Sequence, residues 1–156
     1  MNQNAADRPG VIVAPPLLYL AAVAGGLALQ LLFPVHVLPA APARGLGGLL
    51  ALAAVGVSRW ARREMNGAGT NVSPYHPATA IVQTGPFHFS RNPLYVSLTA
   101  FYVGIALLVN TLWPLILLPP VLVVMHIGVV SREERYLEAK FGEEYRAYKA
   151  RVRRWV

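Results

Sequence analysis

Polar and conformationally special residues collect in two short stretches of this chain, residues 69–95 and residues 132–144. The first ends in the run Thr84-Gly85-Pro86-Phe87-His88-Phe89-Ser90-Arg91-Asn92-Pro93-Leu94-Tyr95. Gly85–Pro86 fixes a turn. Pro93 suits the first turn of a following helix, where its missing N–H would be an orphan anyway. Arg91 and Asn92 therefore stand just ahead of a helix N-terminus, a place already favourable to anions. The second stretch opens with Arg132-Glu133-Glu134 and leads into Phe141-Gly142-Glu143-Glu144-Tyr145-Arg146-Ala147-Tyr148. Glu133 can accept hydrogen bonds from hydroxyls or an amino group. If a reaction here has to remove a proton, His126, Glu134 and His76 are the nearby groups that could take it. The chain has no cysteine, which removes disulfides, thiolate nucleophiles and thiolate metal sites, and no metal is expected.

Each of these residues also has a plainer reading. Arg91 could be a positive anchor at a membrane face. Glu133 and Glu134 could be first-turn acids that complement the helix dipole. His126 is an ionisable residue inside an apolar segment, which suggests function; it also lies near that segment's polar end, where packing or snorkelling would suffice. His36 and His88 read as loop surface, and Tyr145 and Tyr148 as packing residues. Arg151, Arg153 and Arg154 most simply bind anionic headgroups.

The elements that must position these residues are apolar. Hydrophobic residues make up 55% of the 156, and charged residues 13%, against about 25% charged in a soluble domain. Such a chain cannot cover itself with polar surface. Residues 11–33 are uncharged and long enough for a bilayer core that needs about 20 residues. They exceed the roughly 7–15 residues of a signal-peptide core, so a retained helix is expected. The ten residues before them read as a frayed polar start. Further spans are expected at about 40–62, 93–110 and 112–131. The second carries Gly45, Gly47, Gly48 and Gly56 as a small-residue face that permits close approach, including a homodimer. Pro119–Pro120 should kink the fourth. Residues 64–92 form a long loop whose Tyr75, Ile81, Val82, Phe87 and Phe89 are too apolar for a solvated linker. In residues 131–156, Leu137, Phe141, Tyr145, Tyr148, Val152 and Trp155 recur at helical spacing, interrupted by Gly142, which predicts an amphipathic helix. The fold class is therefore all-α: an integral membrane bundle of four transmembrane helices plus a C-terminal amphipathic helix, in a single domain.

Charge placement orients the bundle. All Lys and Arg residues except Arg8 and Arg44 lie at 59–91 and 132–154, flanking apolar segments. By the positive-inside rule both termini, the long loop and the C-terminal helix face the cytoplasm, as expected for a multi-pass protein of the cell's inner membrane. The net charge of +7 needs no nucleic acid to explain it.

Taken together, the Thr84-Gly85-Pro86-Phe87 turn, Arg91-Asn92-Pro93-Leu94-Tyr95, an apolar helical hairpin, Glu133-Glu134 and Phe141-Gly142-x-x-Tyr145-x-x-Tyr148 resemble the isoprenylcysteine carboxyl methyltransferase family and its phospholipid methyltransferase relatives. The motifs run from Gly69 onward; the first two helices share only hydrophobicity with the family. The resemblance implies S-adenosylmethionine as cofactor, with S-adenosylhomocysteine as product. It places cofactor contacts at Thr79, Ala80, Ile81, Val82, Gly85, Phe87, Asn92, Pro93, Leu94, Tyr95 and Glu133. Arg91, Glu134 and His126 are the candidate catalytic residues. Thr79 stands where the family often has His, and Asn92 where the protein-prenyl branch has His. The expected partners are membrane lipids and a lipophilic or small methyl acceptor, a carboxylate or thiol of isoprenylcysteine type. A phospholipid amine methyltransferase and a non-catalytic scaffold or transport-related protein are the competing readings.

Overall fold

The computed structural model describes residues 8–155, so the frayed start expected for residues 1–7 lies outside them. No strand occurs among the described residues. The elements in order are α1 (Pro15–Leu32), α2 (Ala40–Gly67), a 3-10 turn (Gly85–His88), α3 (Pro93–Leu108), α4 (Trp113–Met125), a π turn (His126–Val130), α5 (Ser131–Phe141) and α6 (Glu143–Arg151). Proline opens α1, α3 and α4, as expected where an N–H is dispensable.

Three helices are long and apolar enough to cross a membrane: α1 with 18 residues, α2 with 28, and the continuous run Trp113–Phe141 with 29. The fourth apolar helix, α3, has 16 residues; at 1.5 Å per residue that is about 24 Å. Leu31 and Leu52 are 87% and 74% exposed. Outward apolar surface of this kind needs lipid.

One sequence expectation shifts. No boundary separates the last span from the C-terminal helix, because α4 runs through the π turn into α5. The helix is continuous through Pro119–Pro120, and its hydrogen-bond register changes at His126–Val130. Gly128 O within that turn accepts a hydrogen bond from Ile12 N at 3.0 Å, and Arg132 reaches Gly10 O at 3.0 Å. The segment ahead of α1 is thus tied across the α4–α5 junction. The break expected at Gly142 is present: its φ of +54° separates α5 from α6.

α3 is the centre of the bundle. It packs along α2 and touches α1 and α4, while α1 packs on α4. Tyr19 OH lies 2.6 Å from Thr99 Oγ1, and Tyr102 OH donates to Pro114 O at 2.6 Å, so both buried tyrosines have partners. At the end remote from the polar loop, Asn110 adopts φ +55°, a conformation asparagine tolerates. Its side chain accepts from Val37 N and Leu38 N and donates to Leu38 O at 2.8 Å, which closes the α1–α2 loop onto the α3–α4 turn.

The α2 glycines have separate roles. A Cβ on Gly47 would stand 2.5 Å from Leu108 N, and one on Gly104 would stand 2.9 Å from Ala51 N. These two glycines let α2 and α3 approach backbone to backbone. Gly45 and Gly56 face open space. Gly47→Val should therefore push the helices apart and lower stability by about 1–3 kcal/mol, the usual cost of overpacking. Gly56→Ala should not. Thermal unfolding in detergent checks both.

Candidate active site

The long loop and the last helices meet at one end of the bundle. The segment after α2 folds back through residues 68–84, held by local bonds: Thr79 Oγ1 donates to Gly69 O at 2.8 Å, and Asn71 Nδ2 donates to Pro77 O at 2.8 Å. Tyr136 of α5 reaches across and accepts from Ala78 N at 3.1 Å. Gly85 then turns with φ +59° close against Trp60 and Glu64 of α2. Glu64 accepts from Trp60 Nε1 at 3.1 Å and from Thr84 Oγ1 at 2.5 Å, which fixes the turn to α2. Next, Phe87 is buried, and Phe87 O accepts a hydrogen bond from Tyr148 OH of α6 at 2.7 Å.

The segment beyond α6 completes the assembly. Arg91 N donates to Arg153 O at 2.9 Å, and Asn92 Nδ2 donates to Arg154 O at 2.9 Å. Ser90 Oγ donates to the same Arg154 O at 3.3 Å. Residues 153–154 thus staple the run that leads into α3.

A pocket opens between these parts. Its walls include Val82, Phe87, Arg91, Asn92, Tyr95, Glu133, Glu134, Leu137, Tyr145 and Tyr148. Eleven of the fourteen expected site residues line it. They are Arg91 and Glu134, and, among the expected cofactor contacts, Ala80, Ile81, Val82, Phe87, Asn92, Pro93, Leu94, Tyr95 and Glu133. Thr79, Gly85 and His126 do not. Thr79 and Gly85 instead shape the loop. His126 sits on the π turn with its Nε2 3.4 Å from Arg154. His76 does line the pocket. The space is narrow, about 140 Å³, against roughly 300–1,000 Å³ for small-molecule sites.

Charge is concentrated at one wall. Tyr95 OH donates to Glu133 Oε1 at 2.6 Å, which orients that carboxylate. Glu134 is held by Arg154 through Nε to Oε1 at 3.0 Å and NH2 to Oε2 at 2.6 Å. Glu134 in turn lifts the Arg154 guanidinium above its ordinary pKa, chiefly by that hydrogen bond. Arg91 NH1 lies 3.1 Å from Glu134 Oε1, with both side chains buried. That contact is an ion pair without hydrogen-bond geometry, and Arg91 Nε and NH1 have no hydrogen-bond partner. Such buried donors are costly unless something accepts from them. Burial, reinforced by Glu134, pushes Tyr145 up to about 12, and burial likewise raises Tyr148. Both phenols stay protonated at neutral pH; Tyr148 donates to Phe87 O, whereas Tyr145 is hydrogen-bonded to Arg91, from which it can only accept.

Sequence reasoning missed three contributors. Tyr136 had no motif to mark it. Tyr148 was expected only to pack, yet it holds the Phe87 carbonyl. Arg154, read as a headgroup binder, turns inward to Glu134; an arginine's direction near a chain end has no local sequence signal. Tyr148→Phe should leave Phe87 O buried without a donor and cost about 1–3 kcal/mol. The expected fall in melting temperature is measurable without any ligand.

A 27-residue stretch is 67% identical to a protein of Haemophilus influenzae described only as uncharacterized; it covers 17% of this chain and 43% of that protein. The match thus spans less than half the length of that relative. No solved structure matches the chain. The family described as Phospholipid methyltransferase matches residues 43–144, which includes most of α2, the loop, the Arg91–Tyr95 run and Glu133–Glu134. With that match over more than half its length, this multi-pass membrane chain belongs to the phospholipid methyltransferase family of membrane methyltransferases.

Proposed function

We propose that the pocket binds S-adenosylmethionine and that the protein moves its methyl group to a lipophilic acceptor at the cytoplasmic face of the cell's inner membrane. The observation that carries this reading is Arg91: a buried guanidinium with unpartnered nitrogens, lining the pocket beside Glu133. The residues fit the cofactor's chemistry. Arg91 suits an amino-acid carboxylate, for which charge-assisted hydrogen bonds are strong. Glu133, oriented by Tyr95, suits ribose hydroxyls or an ammonium group. Ile81, Val82, Phe87 and Leu94 offer apolar and aromatic surface for a base. When bound, the cofactor supplies a methyl carbon already activated by a sulfonium. The chain's task is to align donor and acceptor and to exclude water. Orientation follows from the basic loop and C-terminal segment, and α3 joins the three longer helices as a fourth span.

The acceptor's route is a second cavity of about 570 Å³ between α1, α2 and α3. Its lining is apolar, with Ser58, Arg62, Tyr75 and Ser97 among the exceptions. It shares Val72, Ser73, Pro74, Leu94 and Tyr95 with the cofactor pocket. Because α1 and α2 both pack on α3 and hardly on each other, this cleft opens sideways between them. A membrane amphiphile would enter there, tail against the helices and head toward Tyr95.

The available bases bear on what that head is. Arg154 engages Glu134 and approaches His126, so neither is a ready proton acceptor. An acceptor already anionic, a carboxylate or thiolate, needs no base, and Arg62 in the cleft suits it. The second reading, a phospholipid amine, is kept alive by His76 in the pocket wall, which could take the amine's proton.

The test uses full-length protein in lipid nanodiscs. S-adenosylhomocysteine should raise its melting temperature in a concentration-dependent way. Arg91→Ala and Glu133→Ala should each weaken binding by roughly tenfold or more, as expected for loss of a charge-assisted hydrogen bond. Wild-type affinity in both variants would contradict the site. Methyl label transferred to membrane extract should be released by mild alkali if the product is an ester, and retained if it is an N-methyl lipid.

A further inference from the structure

We propose that Arg154 is a positioning residue of this pocket: by holding Glu134, it leaves the Arg91 guanidinium available to an anionic group of the bound molecule. The inference rests on the reading above, that the pocket takes the cofactor with its carboxylate at Arg91.

Three positions form the device. Glu134 is 5% exposed and carries a charge that must be balanced inside the protein. Two arginines stand within reach of it. Arg154 places three donor contacts on the two carboxylate oxygens, between 2.6 and 3.1 Å. A carboxylate offers about four lone-pair sites, so little capacity remains. Arg91 NH1 is 3.1 Å from Oε1 but lies off the hydrogen-bond direction, and its Nε is also unpartnered.

Remove Arg154 and the balance changes. A buried carboxylate left without its main partner is strongly unfavourable. The nearest cation is Arg91, already in ionic contact. Arg91 would turn onto Glu134, and its donors would be withdrawn from the pocket. Arg154 does not itself line the pocket, so its effect passes through Glu134. Its main chain is a separate matter: Arg154 O accepts from Asn92 and Ser90 whatever side chain the residue bears. A side-chain substitution therefore tests the charge and spares the staple.

The experiment compares two ligands on nanodisc-embedded full-length protein. S-adenosylhomocysteine carries the carboxylate; 5′-methylthioadenosine keeps the nucleoside and thioether but lacks the amino-acid group. Arg154→Gln should weaken S-adenosylhomocysteine by roughly tenfold, the value of one charge-assisted contact, and leave methylthioadenosine unchanged. The double variant E134Q/R154Q removes the carboxylate that captures Arg91 and should restore S-adenosylhomocysteine binding. The inference is overturned if R154Q binds S-adenosylhomocysteine like wild type, if it loses both ligands alike as a purely structural defect would, or if the double variant restores nothing. Wild-type protein that binds neither ligand would remove the cofactor reading itself, and this inference with it.

Discussion

A single buried carboxylate organises the polar end of this protein. Glu134 sits on α5 at the point where the membrane helix emerges, and two arginines from distant parts of the chain converge on it. A buried charge is tolerated only when it is paired and hydrogen-bonded. Here that requirement ties together three pieces that sequence separates: the run before α3, the start of α5, and the segment after α6. The backbone bonds from Arg153 O and Arg154 O to residues 90–92 reinforce the same junction. The pocket exists because these three are brought together. The arrangement is also asymmetric, since one arginine is satisfied and the other keeps donors to spare.

The apolar bundle supplies the frame for that junction. Helices in lipid gain little from burying apolar surface against one another, so close packing and polar contacts hold them together. The Gly47–Gly104 contact does the first job between α2 and α3. Tyr19 with Thr99, and Tyr102 with the Pro114 carbonyl, do the second. Asn110 ties the far end, while at the near end residues 70–81 have no regular structure. The pocket and the sideways cleft share Leu94 and Tyr95, so the first turn of α3 borders both.

Much of this was legible in the sequence because the signals were local. Uncharged runs of sufficient length announced helices, and proline at their starts marked the first turns. The Arg91-Asn92-Pro93 run pointed to a site at a helix start, and the family resemblance placed eleven of the residues that line the pocket. The misses share a cause: they depend on direction or on distant partners. Arg154 looked like a headgroup binder because composition cannot show which way an arginine turns. His126, which the sequence leaves between function and packing, lies outside the pocket lining, on a π turn that no residue pattern predicted. The glycines of α2 looked interchangeable, although only their neighbours across α3 distinguish Gly47 from Gly56.

The central claim is that one pocket, built from the loop, the first turn of α3 and the start of α5, receives the sulfonium nucleoside. Ultraviolet photolabelling of the membrane-embedded protein with methyl-tritiated S-adenosylmethionine, followed by peptide mapping, tests it most directly. Label should fall on peptides within residues 80–95 and 133–148, and excess S-adenosylhomocysteine should abolish it. Competable label confined to α1, or to the Asn110 end of the bundle, would contradict the account.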